Sequence, residues 1–479
     1  MSDTHPGKNP NPNPKNGGTG QAAHTTVDPV AARLAEEAQK CMKCGLCQAV
    51  CPVYREVRGE SSVARGRISL VEAALNGRIR WSPLMEDRLS TCLVCQACLA
   101  GCPSGVRIDR LMVDARTIVA KNVRTPLVKR LALRKLLREG RLDGYVKFGR
   151  RFQRLALRPR GRGLHAPAFA LDRRRLLPSL SKQTLYEDPS VARLPDGTPV
   201  LADPAGGTTP RGDLTFFPGC LITYVYPQIG LAAGRVLGAL GYRVLLPREP
   251  VCCGEPALLN GDKETAQTLA ARLRASLPQG TATLVTACAS CGTMLKKEYP
   301  ELEMRPEEST AGGGAAGAVP AEGGAPPPRT ADLGVPILDI TELLASDGNL
   351  DRLEALGAFP GGGTGAKVTY HDPCHLKHSR GITAPPRQLL RRMAGDSFVE
   401  MKESACCGSG GTFSLRHYAL TRKIGRRQAQ LIAGTGAGTV ATACPGCIMQ
   451  TNENLANAGK EARARHIIEL IDESMSSRK

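Results

Sequence analysis

The chain is poor in aromatic residues, short of acidic ones, and without any long apolar run. One Trp, nine Tyr and eight Phe make up 4% of 479 residues. The side chains on which unpaired bases stack are therefore scarce, and no nucleic-acid motif is present, which argues against a nucleic-acid partner. No stretch of eighteen apolar residues occurs, so the sequence offers no membrane-spanning helix. The opening MSDTHPGKNPNPNPKNGGTG lacks the apolar core of an export signal, and a cytoplasmic chain is expected. Phosphate loops are absent too. GSGG at 408–411 and GGGTGAK at 361–367 have neither the Walker nor the dinucleotide spacing in a strand–helix context, and no flavin-binding fingerprint is found.

Cysteine is what the sequence has in quantity, with eighteen residues. A long chain without an export signal is not the small secreted type that disulfides staple, and in a reducing compartment thiols serve better as metal ligands. Residues 41–52 read CMKCGLCQAVCP and residues 92–103 read CLVCQACLAGCP. Both are the C-x2-C-x2-C-x3-C-P run that holds iron–sulfur cubanes, and in two-cluster proteins the fourth cysteine of each run crosses to the other cluster. The expected ligands are Cys41, Cys44, Cys47 and Cys102 for one [4Fe–4S] cluster, and Cys92, Cys95, Cys98 and Cys51 for the second. The spacing wraps one turn of backbone so that three sulfurs face one centre, and proline ends the wrap by fixing φ. C-x2-C pairs also bind tetrahedral zinc, the alternative reading.

The net charge is +20, and it is concentrated. Between Lys121 and Arg162 only Glu139 and Asp143 oppose a run of Lys and Arg, while Leu127, Leu131, Leu133, Leu136 and Leu137 recur at roughly helical spacing. Such a basic amphipathic segment suits an anionic membrane face, or a solvated helix packed on another domain or an acidic partner.

In chain order, residues 1–28 are a disordered tail rich in Asn, Pro and Gly. Residues 29–120 form a helical ferredoxin-like domain, entered by a helix from Asp28 with Pro29 at its first position. Two further helices separate the cysteine runs. Residues 121–212 are the basic helix followed by an Arg-, Pro- and Gly-rich linker from about 156. Residues 213–346 and 366–479 are two further domains, the first with a flexible insertion at 309–330.

Those two domains are copies. LTFFPGC to Cys220, PVCCG at Cys252 and Cys253, and TACASC at Cys288 and Cys291 recur as KVTYHDPC to Cys374, ACCG at Cys406 and Cys407, and TACPGC at Cys444 and Cys447. The offset is 154 residues at the first three cysteines and 156 at the last two. Short apolar runs alternate with helix-length segments, the pattern of βαβ units and a parallel sheet. Every cysteine group follows an apolar run, at the carboxyl edge where open parallel sheets bind ligands. Five thiols are thus expected to converge in each copy, with Gly254 and Gly408 letting the backbone turn after each paired cysteine.

The recurring C, CCG, C-x2-C pattern resembles the CCG cysteine-rich domain of heterodisulfide reductase subunits, anaerobic glycerol-3-phosphate dehydrogenase and the glycolate oxidase iron–sulfur subunit. CMKCGLCQAVCPVYRE, ARGRISLVEAALNG and CLVCQACLAGCPSGVRIDRLM resemble the glycolate oxidase and D-lactate dehydrogenase iron–sulfur subunits along most of the chain. The resemblance implies an α+β multidomain fold, in which the helical ferredoxin-like domain precedes two tandem α/β, Rossmann-like CCG domains. It also implies up to two further clusters, non-cubane in the heterodisulfide reductase branch, at Cys220, Cys252, Cys253, Cys288 and Cys291 and at Cys374, Cys406, Cys407, Cys444 and Cys447.

The function this implies is electron transfer. An FAD-binding subunit would oxidise glycolate to glyoxylate or D-lactate to pyruvate, and this chain would pass the electrons to a quinone or another membrane acceptor, from the cytoplasm or the inner membrane face. The rival is disulfide reduction at the CCG sites; a zinc scaffold is a third reading. No catalytic residue is assigned. His371, His375 and His378 are candidates to assist the second CCG site or a quinone, against the plainer reading of surface loop histidines. Asp372 and Glu255 are candidate proton relays. Arg65 and Arg67 are candidates to contact a partner or a cluster, against the plainer expectation of salt bridges within the helical domain.

Overall fold

A computed structural model describes residues 29–123, 142–159, 164–167, 172, 174–206, 209–303, 331–359 and 366–476. The expected tail at 1–28, most of the leucine-bearing basic segment and the insertion at 309–330 lie outside these residues.

Residues 29–123 are helical wherever they are regular. Helix α1 spans Pro29–Gln39, α2 Ala64–Leu75, α3 Pro83–Ser90 and α4 Ile108–Asn122. Proline occupies the first turn of α3, and the Ser82 hydroxyl accepts the Met85 N–H, so the start of that helix is satisfied locally. In α4, Ile108, Leu111, Met112, Ala115, Ile118 and Val119 recur at three- and four-residue steps and are all buried. That stripe packs on Leu34 and Ala38 of α1 and on Ile68 and Val71 of α2, giving the domain its own core. Helices α2 and α3 fill the interval between the cysteine runs, where the sequence places two helices.

Helix α5 covers Leu142–Ala156, within the basic segment. The stretch from about 156 read from composition as a linker is structured instead. Strands β1 (Leu157–Pro159), β2 (Leu164–Pro167) and β3 (Leu177–Pro178) then make a small antiparallel sheet. A hairpin of β4 (Ala192–Arg193) and β5 (Pro199–Ala202) follows. These strands are too short for their alternation to stand out, and Val200 and Leu201 become buried only by pairing with a partner far along the chain.

That partner is the sheet of the first copy. Strands β6 (Asp213–Phe217), β7 (Arg243–Leu245), β8 (Leu284–Thr286) and β9 (Ile337–Asp339) run parallel, and β5 adds antiparallel to β7, giving the order β4-β5-β7-β6-β8-β9. Leu214, Thr215, Phe216 and Phe217 are all buried, as expected where both sheet faces are covered. The second copy repeats the parallel unit with β10 (Val368–Tyr370), β11 (Thr439–Thr442) and β12 (Arg463–His466), and a parallel bridge from Val368 to Phe398 stands in the place of β7.

One apolar core runs through both copies. Polar ties cross between them: His466 Nε2 lies 2.9 Å from the Ala287 carbonyl oxygen, and Arg235 pairs with Asp472. The helical domain docks on the same body. Arg116, in α4, donates to the carbonyls of Leu89, Cys92 and Leu259, and Thr117 donates to Gly261.

Candidate iron–sulfur centres

The two N-terminal runs fold alike. Lys43 and Gly45 in the first and Val94 and Gln96 in the second have positive φ, at 58°, 88°, 49° and 62°. These left-handed steps turn the chain around each group of three thiols. Glycine adopts them freely, but at Val94 a β-branched side chain is held there by its surroundings. Cys51 caps the helix Pro52–Val57, its sulfur accepting the Tyr54 N–H at 3.4 Å, and Cys92 accepts the Val94 N–H at 3.4 Å.

Two cavities result. Cys41, Cys44, Cys47 and Cys102 line one, Cys51, Cys92 and Cys95 line the other, and Cys98 borders both. The fourth cysteine of each run thus sits with the first three of the other. Burial pushes the Cys47, Cys51, Cys95 and Cys98 thiols up, and the guanidinium of Arg67 opposes that rise at Cys51 and Cys98.

Arg67 departs from the expected salt bridge. It is 2% exposed, and its hydrogen bonds go to the Arg88 carbonyl and the Thr91 hydroxyl, with no carboxylate partner among the described residues. A buried charge without a counter-ion is costly, and the group beside it able to offset that cost is the thiolate set it faces. Arg65 keeps to expectation and pairs with Glu60 at 2.6 Å.

In the duplicated domains the cysteine groups follow strands, except that Cys406 and Cys407 follow only the isolated bridge at Phe398: Cys220 comes after β6, Cys252 and Cys253 after β7, Cys288 and Cys291 after β8. Cys374 follows β10, and Cys444 and Cys447 follow β11. Gly254 and Gly408 have φ of +87° and +85°, turning each cysteine pair back on itself. Cys252, Cys253, Cys288, Cys291, Cys407, Cys444 and Cys447 are buried. Within the first copy the thiols perturb one another in sequence, Cys220 with Cys252, Cys252 with Cys253, Cys253 with Cys291 and Cys291 with Cys288. The second copy repeats this from Cys374 through Cys406, Cys407 and Cys447 to Cys444, with the Cys407 thiol 3.7 Å from the Cys447 sulfur.

Such crowding splits the thiols. Cys252 and Cys291 hold Cys253 below its usual range and Cys406 and Cys447 do the same for Cys407, while Cys220, Cys374, Cys291 and Cys447 are pushed well up. Iron binding to such a set displaces the protons the sulfurs share. The thiol chemistry therefore fits an iron–sulfur group in both copies.

The four groups are not separate. Cys288 and Cys444 perturb each other's thiols across the boundary between the copies. Cys406 and Cys374 raise the Cys95 thiol electrostatically, so the second run of the helical domain lies against the second copy. Cysteines thus connect from Cys41 through Cys98, Cys95 and Cys406 to Cys444 and Cys288. A cavity of about 260 Å³ opens where the helical domain meets the second copy, with Cys95, Cys374 and Cys406 in its wall and Arg55, Lys377 and His378 among its other lining residues.

Two of the three candidate histidines are buried, which overturns the surface-loop reading for them. His375 is 8% exposed, with Nε2 3.2 Å from the Val94 carbonyl oxygen and Nδ1 2.8 Å from Glu255 and 3.2 Å from Ser290. Burial opposes its charge, but Glu255 and Cys374 outweigh that and push it up to about 10. His371 is 1% exposed, and one of its ring nitrogens lies within 4.8 Å of the Cys407 and Cys447 sulfurs. Asp372 is clamped by Arg387, two contacts of 2.8 Å, as a structural ion pair. Nothing in the sequence separates these histidines from loop residues, because the partners of His375 come from other domains and those of His371 lie at least 36 residues away along the chain.

Residues 37–106 match a 4Fe-4S dicluster domain, and residues 214–296 and 368–452 each match a cysteine-rich domain termed CCG. The chain thus joins one segment similar to a 4Fe-4S dicluster domain to two segments similar to a cysteine-rich domain. Among individual proteins it is 28% identical to the probable glycolate oxidase iron-sulfur subunit of Bacillus subtilis, over 91% of this chain and 94% of that one. It is 24% identical to a dihydromethanophenazine:CoB–CoM heterodisulfide reductase subunit of Methanosarcina barkeri, over 92% and 94%. It is 32% identical to a fumarate reductase (CoM/CoB) subunit of Methanothermobacter marburgensis over 56% of this chain, and it spans about half, 48%, of that protein's length. No helix among the described residues is long and apolar enough to cross a membrane.

Proposed function

We propose that the chain is the iron–sulfur electron-transfer subunit of a flavin-linked 2-hydroxyacid dehydrogenase. A separate FAD-binding subunit would oxidise glycolate to glyoxylate, or D-lactate to pyruvate, and a quinone or other carrier would take the electrons. The observation that carries this reading is the continuous series of thiol groups from Cys41 to Cys288, for which substrate chemistry at a single centre has no use. Similarity to the glycolate oxidase subunit over nine-tenths of both chains supports it.

Cys41, Cys44, Cys47 and Cys102 would hold one [4Fe–4S] cluster, and Cys92, Cys95, Cys98 and Cys51 a second. The two five-cysteine sets, each on a Rossmann-like domain, would hold two more. When bound, such clusters supply one-electron transfer at potentials set by burial and by hydrogen bonds to sulfur. The chain's own residues shield the sulfurs from water, donate N–H groups to Cys51, Cys92 and Cys406, and bring Arg67 to the anionic thiolates. The reading places the chain in the cytoplasm or on the inner membrane face. The test is dye reduction by purified chain with glycolate or D-lactate. Activity appearing only when the flavoprotein is added supports this division of labour, and activity of the chain alone overturns it.

A second reading rests on the cavity beside Cys374 and Cys406. All five cysteines are kept in both copies, and the heterodisulfide reductase relative is matched over nine-tenths of its length, so disulfide reduction there is the alternative. Turnover of a mixed disulfide with reduced viologen, without any flavoprotein, would favour it.

A further inference from the structure

The two five-cysteine sites are built on equivalent backbones but not from equivalent side chains. The register of the sheets fixes the correspondence: Phe216 pairs with Val285 in the first copy, as Tyr370 pairs with Ala441 in the second. One residue on, Phe217 and His371 therefore occupy the same place. In the first copy that place is filled by an apolar ring; in the second it carries a buried imidazole beside Cys407 and Cys447.

The imidazole's hydrogen-bond partners decide what it can do. A backbone carbonyl only accepts, and the Cys407 carbonyl faces Asn454 Nδ2 at 2.9 Å, so that atom is a donor. The same Nδ2 lies 2.8 Å from Gln428 Oε1. The other end of the Gln428 amide, Nε2, is then also a donor, and it lies 2.9 Å from Thr451 Oγ1 and 3.2 Å from His371 Nδ1. A donor facing Nδ1 requires that nitrogen to be bare. The ring proton is left on Nε2, which is buried and makes no hydrogen bond among the described residues.

This is the reverse of a metal-ligating histidine, whose second nitrogen donates to a carbonyl or carboxylate and leaves the first bare for the metal. The arrangement is also enclosed: Gln428, Thr451 and Asn454 are 0%, 0% and 5% exposed, and a Cβ on Gly425 would collide with the Asn454 amide. Rotating the Asn454 amide would break its bonds to the Cys407 carbonyl and to Gln428, and rotating the Gln428 amide would set its N–H donors against those of Asn454.

We propose that His371 is a positioning residue of the second five-cysteine site, its unused Nε2–H available to the Cys407–Cys447 sulfurs once these are thiolates of a cluster, so giving that site a higher reduction potential than the first. The proposal rests on the reading that both sites hold iron–sulfur clusters. A donor to a cluster thiolate offsets the negative charge added on reduction, which favours the reduced form. Phe217 can offer nothing of the kind, so electrons favour the second site, the one that also meets Cys95 and the 260 Å³ cavity.

The test uses full-length, anaerobically purified chain carrying its clusters, with iron content measured first. The signal of the second site is identified by its loss in Cys407→Ser, and its midpoint potential is titrated in wild type, His371→Phe and His371→Gln. His371→Phe is expected to shift the reduction equilibrium at least tenfold toward the oxidised form, which is about 59 mV for one electron. His371→Gln, which keeps an N–H donor, is expected to recover most of that shift. Wild-type protein labelled with ¹⁵N-histidine needs no variant: a weak histidine nitrogen coupling and an exchangeable deuteron at the second-site signal support the assignment. A second site that is loaded but unmoved in potential by His371→Phe overturns this proposal alone. A strong, directly bonded nitrogen coupling also overturns it, in favour of ligation. Wild-type protein with iron for the N-terminal runs only overturns both this and the cluster assignment beneath it.

Discussion

His375 Nε2 lies 3.2 Å from the carbonyl oxygen of Val94, which ties the second cysteine-rich domain to the strained loop between Cys92 and Cys95. The same ring meets Glu255 of the first copy at 2.8 Å, so one side chain joins three domains where three thiol groups come together.

Breaking that junction has a stability cost. His375→Leu leaves Glu255 buried without its partner, and we expect a loss of about 3 kcal/mol, the usual cost of removing half of a buried pair. Urea unfolding under anaerobic conditions measures it. Replacing both residues, with Glu255→Leu added, should recover much of the loss, because neither charge then remains buried. An equal or greater loss in the double variant would show that packing, not the pair, holds the junction.

Arg67 offers a test in the helical domain. Arg67→Met removes a buried positive charge beside Cys51 and Cys98, so adding an electron there becomes harder. We expect the potential of the cluster at Cys92 to fall by on the order of 100 mV, from the Coulomb energy of a charge about 6 Å away at an effective dielectric constant near 20. Arg67→Lys should retain part of it. Spectroelectrochemical titration reads both.

The two cysteine-rich copies can be emptied one at a time. An alanine at Gly254 or Gly408 must adopt a left-handed φ, which costs about 1–2 kcal/mol, and at Gly254 its Cβ would also press on Ala266, 3.3 Å away. From about sixteen irons per chain, four per cluster, each single variant should lose about four, and the double variant about eight. Unchanged iron content in both variants would count against cluster ligation by the paired cysteines.

Asp339 gives a pH dependence with a defined sign. Burial raises its carboxyl to about 7, from 3.8. The folded state therefore binds the proton more tightly than the unfolded state between those values. Stability from this group is full below about pH 4 and falls as pH rises through about 7, by at most about 1.4 kcal/mol per unit. Asp339→Asn keeps a side-chain oxygen to cap the helix Ile340–Leu344 and removes the titration. It should flatten the curve and be the more stable protein at about pH 8, as urea midpoints from about pH 5 to 8 would show.

Tyr145, Phe148 and Phe152 are 43%, 66% and 42% exposed on one face of α5, in a helix that also carries Lys147 and Arg151. If this face lies on lipid, Phe148→Ser with Phe152→Ser should reduce co-sedimentation with anionic vesicles severalfold while leaving cluster spectra unchanged. Equal binding by wild type and variant would remove this face from any membrane role.

The cofactor class and the repeat are legible in short stretches of chain. Three thiols within seven residues are oriented by a few backbone dihedrals, so Cys41 to Cys47 and Cys92 to Cys98 declare their cradles wherever the chain goes. The five-cysteine pattern likewise declares itself twice, because strand ends and the glycines after Cys253 and Cys407 are local features. The strands at 157–202 were hidden, since two to four residues hold no readable period and Val200 is buried only by pairing with Leu245. How the centres relate to one another is a matter of docking. That Cys288 meets Cys444 and that Cys95 faces Cys406 follow from the way separate domains pack, and that Arg67 turns to sulfur instead of a carboxylate follows from packing within the helical domain. Burial fixes those contacts, and burial belongs to no short stretch of sequence.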